Sequence, residues 1–190
     1  MDGIREIIRD IGSRMDQLEA ERESVIAISR AVIRGTKRAI HSIHTGEEYD
    51  LSELQKTLNE LLAKVADRPE LAASGNVQDA AAEFAEVCIL SSVIGGRELP
   101  SFRDLGITPQ AWVLGLADSV GEMRRAILDS LLDGDIVNAE RIFSCMGGIY
   151  EEIIILDVPD AILPIRRKQD VARSVMEKTR TDLANAVMRR

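Results

Sequence analysis

The chain of 190 residues is long enough to bury one sizeable core, and its 45% hydrophobic and 29% charged residues exclude an intrinsically disordered protein. The net charge of −8 argues by itself against nucleic-acid binding, because phosphate contacts require Lys and Arg. Two isolated cysteines, no secretory signal pattern and no apolar run of about 18 residues exclude a disulfide framework and a membrane span, so we expect a cytoplasmic protein without a membrane partner.

Apolar residues recur at helical spacing along most of the chain, and no long run alternates between β-branched and polar residues. Aromatic residues make up only 3%, so the core must consist of aliphatic side chains, which suits packed helices. In chain order, the predicted helices cover about 2–45, 51–67, 77–93, 109–132, 136–156 and 164–190.

Local signals mark several helix ends. Gly46 can terminate the long first helix, Asp50 or Ser52 can start the second, and Thr108 followed by Pro109 is typical of a helix start. We therefore predict an all-α bundle in a single domain over residues 1–190. The first helix carries apolar residues on more than one side, which favours a homo-oligomer.

Two pairs of carboxylates interrupt apolar helical segments. Glu83 and Glu86 stand three residues apart in the third helix, and Asp118 and Glu122 stand four apart in the fourth. Because a helix turns by about 100° per residue, each pair shares one face, where like charges repel. Carboxylates on facing helices can bind Mg²⁺ or Mn²⁺, which activate water. Alternatively, each pair faces solvent or a nearby arginine such as Arg124 or Arg125.

A basic stripe follows the first helix between Glu23 and Glu47, an interval without acidic residues. Positions 30, 34, 37, 41 and 44 are spaced four, three, four and three apart, so they share one side of the helix. The candidate nucleic-acid-binding residues are Arg30, Arg34, Lys37, Arg38, His41 and His44. A basic surface on an acidic protein indicates a polyanionic ligand, although pairing with acids of a neighbouring helix or subunit is the alternative.

Several segments resemble the translin family, specifically its branch of translin-associated factor X (TRAX). They are SRAVIRGTKRAIHSIH, EFAEV, ITPQAWVLGLADSVGEMRR, the Gly-Asp pair at 134 and 135, and LPIRRKQDV. The resemblance spans nearly the whole chain in the family's order. It implies a fold of six to seven helices with a long N-terminal helix, a hollow octamer, and binding of single-stranded RNA or DNA.

For the TRAX branch, the resemblance also implies a Mg²⁺-dependent endoribonuclease whose acidic residues face the inside of the shell. By position these catalytic and metal-binding residues are Glu83, Glu86 and Asp118, with Glu122 as a fourth. The basic stripe and the acidic residues occur here in one chain, whereas eukaryotic members divide them between two subunits. We therefore expect a self-sufficient homo-oligomer of the prokaryotic, archaeal type.

Three functions follow as hypotheses. The first is a Mg²⁺- or Mn²⁺-dependent endoribonuclease that holds single-stranded RNA on the basic stripe. The second is a non-enzymatic shell that binds single-stranded RNA or DNA and uses the carboxylates as scaffold. The third is an all-α nucleoside triphosphate pyrophosphatase, which also uses a Glu-x-x-Glu pair but needs no basic stripe.

Overall fold

Every regular element within residues 2–188, the part of the chain that this computed structural model describes, is an α-helix. The seven helices are α1 (Asp2–Thr45), α2 (Leu51–Val65), α3 (Pro69–Ala72), α4 (Gly75–Ile94), α5 (Pro109–Leu132), α6 (Ile136–Ile154) and α7 (Arg166–Met188). The all-α prediction is confirmed, and the six predicted helices are present with ends within about two residues of those expected, except that the predicted end of the last helix at residue 190 lies outside the described residues. The additional helix, α3, is a single turn within the break between α2 and α4.

The helix ends follow from local chemistry. Thr108 Oγ1 accepts a hydrogen bond from the Ala111 amide at 3.2 Å, which caps α5 at its start. Gly46 has a φ of 71°, and the Glu47 amide donates to the Ser42 carbonyl at 3.0 Å. This left-handed glycine therefore closes α1 and releases the chain into the turn before α2.

One cluster of buried apolar side chains includes residues from all seven helices. α4 lies at its centre and packs against α1, α2 and α5, so apolar residues occupy most of its circumference. α7 packs against α5 and α6 on the opposite side of the bundle. No helix within residues 2–188 has both the length and the apolar character needed to cross a bilayer.

α4 and α5 approach each other most closely at Gly115. A Cβ atom at this position would lie 2.3 Å from the Ala82 carbonyl oxygen, 2.7 Å from the Ala85 Cβ and 2.9 Å from the Glu86 nitrogen. Only a glycine fits this contact without a shift of one helix. The crossing therefore places the α5 residues that follow Gly115 directly beside Glu86.

α1 has two halves with different surroundings. From Val25 onward it packs against α2 and α4, where Val25, Val32 and Ala39 are buried and several isoleucines are partly buried. All residues from 3 to 20, which we call the arm, are exposed. Apolar side chains on the arm are 40–65% exposed and follow the spacing of a coiled-coil seam: Ile4, Ile8, Ile11, Met15 and Leu18.

Candidate metal and nucleic-acid site

The four predicted carboxylates, which we call the acidic cluster, lie where α4 crosses α5. Glu83, Glu86, Asp118 and Glu122 are all half-buried. Burial, and then the charges of Asp118, Glu83 and Glu122, raise the pKa of Glu86 to about 8. Because charges shift a pKa strongly only from short range, the four side chains form one electrostatic group.

Asp118 has a cationic partner from α7. Lys168 Nζ donates to both carboxylate oxygens of Asp118, at 2.5 Å each. The two side chains are 31% and 39% exposed, so the pair lies at the edge of the acidic cluster rather than in the core. The Lys168 charge also opposes the rise in the pKa of Glu86.

Glu122 has a different partner, His44 at the end of α1. The His44 Nε2 lies 2.7 Å from Glu122 Oε2, and its Nδ1 lies 3.5 Å from Asp129 Oδ2. The hydrogen bond from His44 lowers the pKa of Glu122, against the opposite effect of burial. The His44 side chain is only 3% exposed, so the structure separates it from the rest of the basic stripe and places it among carboxylates.

Glu83 faces the middle of α1. The hydroxyl of Thr36, which is fully buried, lies 3.3 Å from Glu83 Oε2 and donates to the Ile33 carbonyl at 2.8 Å. Together with His44, Thr36 brings α1 against the acidic cluster at two points. The helix that carries the basic stripe is thus also one wall of the cluster.

The remaining basic residues of α1 face solvent. Five are exposed, and none of their side chains has a hydrogen bond or ion pair with another residue within 2–188: Arg30, Arg34, Lys37, Arg38 and His41. Apart from His44, pairing of the stripe with a neighbouring helix of the same chain is therefore not observed in this range. These five side chains are available to an anionic ligand.

Two arginines on α5 could have neutralised its carboxylates. The charge of Arg125 helps to lower the pKa of Glu122, whereas Arg124 has other partners. Arg124 donates to Asp182 at 2.7 Å and to Thr179 at 3.0 Å, both on α7. The acidic cluster is therefore compensated by Lys168 and His44, and neither contact was predicted from the sequence.

The donor chemistry of the acidic cluster fits a hard divalent ion, because Mg²⁺ and Mn²⁺ take carboxylate oxygens. Among residues 2–188, however, no three His, Cys, Asp or Glu side chains are already grouped around one ion-sized position. Asp118 and Glu122 contact Lys168 and His44 instead. A metal ion at this place would have to replace the lysine contact and draw the carboxylates together.

The chain has relatives among known proteins. The chain is 30% identical over 174 residues to uncharacterized protein MJ0175 of Methanocaldococcus jannaschii, which covers 89% of this chain and 78% of that protein. No protein-family model matches the chain.

Solved structures with similar folds are C3PO proteins. The complex of AfC3PO with duplex RNA has a TM-score of 0.80 and 32% identity, and covers 96% of this chain and 97% of its own. AfC3PO alone gives 0.81 and 33%, with coverage of 96% and 98%. Apo-NeC3PO gives 0.82 at 19% identity, with coverage of 94% and 96%, which supports the fold alone. On fold and sequence together, the chain belongs to the translin family, which includes the C3PO proteins.

Proposed function

We propose that the protein is a TRAX-like, divalent-metal-dependent endoribonuclease that binds RNA on the basic stripe. One observation carries the proposal: α1 presents to solvent five basic side chains that have no partner within residues 2–188 and, through Thr36 and His44, contacts a cluster of four carboxylates. A polyanion bound along the stripe would therefore lie next to the acidic cluster. The RNA complex of AfC3PO, a protein 32% identical to this chain, supports RNA as the ligand.

The form of the RNA is part of the proposal. The sequence favours single-stranded RNA, with single-stranded DNA as a second ligand, whereas the AfC3PO complex contains duplex RNA. Phosphate contacts from Arg34, Lys37 and their neighbours would hold either form, because both present the same backbone charge. Both forms are therefore substrates to test.

The acidic cluster supplies the ligands in this proposal. Glu83, Glu86, Asp118 and Glu122 would hold Mg²⁺ or Mn²⁺, which provides a Lewis acid and an activated water for phosphodiester hydrolysis. His44 keeps Glu122 ionised and fixes its orientation. Glu86 holds a proton at neutral pH in the metal-free protein and must release it to become a ligand.

A second candidate is a non-enzymatic RNA-binding protein. It is favoured by the existing contacts of Asp118 and Glu122 with Lys168 and His44, since within residues 2–188 no metal site is preformed. In that case the carboxylates are structural and only the basic stripe is functional. The two candidates differ in whether RNA is cleaved, not in whether it binds.

Assembly into a homo-oligomer, an octamer by family resemblance, completes the proposal, together with a cytoplasmic location. The seam of the arm exposes five large apolar side chains, which is typical of a subunit interface. The mass of the pure protein in solution, measured by light scattering, tests this part. A monomer at micromolar concentration would contradict it.

The test of function is RNA cleavage by the pure protein in Mg²⁺, Mn²⁺ or EDTA, on single-stranded and duplex RNA. We expect cleavage only with a divalent ion, and at least about a hundredfold loss in Asp118→Asn and in Glu86→Gln. RNA affinity should persist in both variants.

The matched control is Glu140→Gln, which removes the same charge from an exposed position on α6 and should cleave normally. Cleavage by both cluster variants at the wild-type rate would contradict the enzymatic proposal. RNA binding that weakens with salt, without cleavage under any ion, would select the second candidate.

A further inference from the structure

Lys168 is held in a fixed part of the fold. Its neighbour Gln169 is buried and donates to the carbonyls of Ile153 at 2.9 Å and Leu156 at 2.8 Å, which ties the first turn of α7 to the end of α6. Ile165, three residues before Lys168 in the chain, is fully buried. The lysine therefore approaches Asp118 from an anchored turn and not from a loose surface segment.

The ammonium group has room to move. A cleft of about 370 Å³ lies between α5 and α7, beside the Asp118–Lys168 pair. Arg167 also lines it, and its wall is aliphatic, formed by Val120, Val171 and Val175 among others. A flexible lysine chain could swing into this space without leaving the site or unfolding α7.

Lys168 is the cation whose charge lowers the pKa of Glu86 against burial and the three neighbouring carboxylates. Its contact covers both oxygens of Asp118, so a divalent ion that approached these oxygens would meet the positive charge of the ammonium at short range and be repelled by it. On the basis of the proposed function, we infer that Lys168 is a resident counter-ion, which holds Asp118 in the metal-free protein and competes with the divalent ion for it. Metal binding then displaces the ammonium into the cleft. Lys168 acts as a positioning residue for Asp118.

The experiment is titration calorimetry of the pure full-length protein with Mn²⁺, without RNA, so that cleavage does not enter. If Lys168 competes with the ion, Lys168→Met should bind Mn²⁺ about threefold to tenfold more tightly than the wild type. The rise in Tm on addition of Mn²⁺ should also be larger in the variant. Lys168→Arg keeps a cation and should stay within about twofold of the wild type.

Lys178→Met is the matched control. It removes the same charge from an exposed position ten residues further along α7, about 15 Å away, and should leave the Mn²⁺ affinity unchanged. Lys168→Gln provides a second variant with the same expected direction, if the methionine variant folds poorly.

Equal or weaker Mn²⁺ binding in Lys168→Met and Lys168→Gln would overturn the inference, since a lysine that merely orients Asp118 for the metal predicts a loss of affinity when it is removed. In that outcome the proposed function survives. If neither the wild type nor any variant binds Mn²⁺, the inference and the metal-dependent part of the proposed function both fail.

Discussion

The basic stripe lies on α1 and the acidic cluster packs against the same helix, but the two groups of charges differ in whether they have partners. The stripe residues, Arg34 and Lys37 among them, are exposed and have no ion-pair partner within residues 2–188. The cluster residues are half-buried, and Asp118 and Glu122 have cationic or histidine partners. Exposed cations cost the fold little and remain available to a ligand, whereas half-buried like charges destabilise the fold. Changes to the stripe should therefore alter binding, and changes to the cluster should also alter stability.

The largest expected effect is on stability at high pH. The pKa of Glu86 is raised from its model-compound value of 4.5 to about 8, so between these values the folded protein keeps a proton that the unfolded chain has lost. Stability therefore falls as the pH rises through this window. Glu86→Gln cannot ionise and should be more stable than the wild type by on the order of 4 kcal/mol at pH 9, but nearly equal at pH 4.

Urea unfolding in EDTA at pH 4, 6.5 and 9 measures this difference. Glu140→Gln, at an exposed position, should match the wild type throughout. An advantage of Glu86→Gln that is the same at every pH would mean that Glu86 is not held among like charges.

The next largest effect concerns Gly115, where α5 contacts α4 beside the acidic cluster. A methyl group in Gly115→Ala would meet the Ala82 carbonyl and the Glu86 amide, so α5 must move away from α4. We expect a loss of about 1–3 kcal/mol in the free energy of unfolding. Because Glu86 and Asp118 would separate, the rate of metal-dependent cleavage should fall as well.

Gly121→Ala is the control on the same helix. Nothing lies within 4 Å of a Cβ at position 121, so alanine should stabilise α5 by about 0.5–1 kcal/mol through its helix propensity. Thermal melts of both variants measure these opposite changes in stability. Stabilisation of both to the same extent would contradict the tight α4–α5 contact.

The smallest expected effect comes from changes to the exposed basic stripe. Replacing Arg34 and Lys37 together by alanine should reduce RNA affinity about tenfold at low salt and lower the salt slope by about 1.4, from two lost phosphate contacts on a single strand. The Tm should not change, because neither side chain has a partner within residues 2–188.

Fluorescence anisotropy at several salt concentrations measures the slope. The double alanine variant of Lys178 and Arg180, two exposed basic residues on α7, controls for net charge. If this control weakens RNA binding as much, the stripe is not the RNA-binding surface.

Sequence patterns predicted the helices well where the signal is local. Thr108 and Pro109 specified the start of α5 because capping depends on adjacent residues. The one-turn helix at Pro69–Ala72 was missed, since four residues cannot show periodicity. The predicted end of the fifth helix, at residue 156, was late because Ile155 is apolar, yet the structure leaves it 71% exposed after the end of α6.

The composition of the acidic cluster was predictable, but its partners were not. Spacing and family resemblance identified Glu86 and Asp118, whereas Lys168 stands among other basic residues and only the packing of α7 on α5 selects it. His44 continues the spacing of the stripe. It lies about 60° around the helix from His41, enough to face α5 rather than solvent.

The arm of α1 has a consequence for how tightly copies of the protein can associate. Fixing the backbone of a disordered segment costs about 1–2 kcal/mol per residue, a cost that reduces the affinity of interfaces that fold as they bind. Here residues 3–20 continue the helix whose second half is packed into the core. The seam is therefore ordered before a partner arrives, and more of the free energy from burying its isoleucines remains available as affinity.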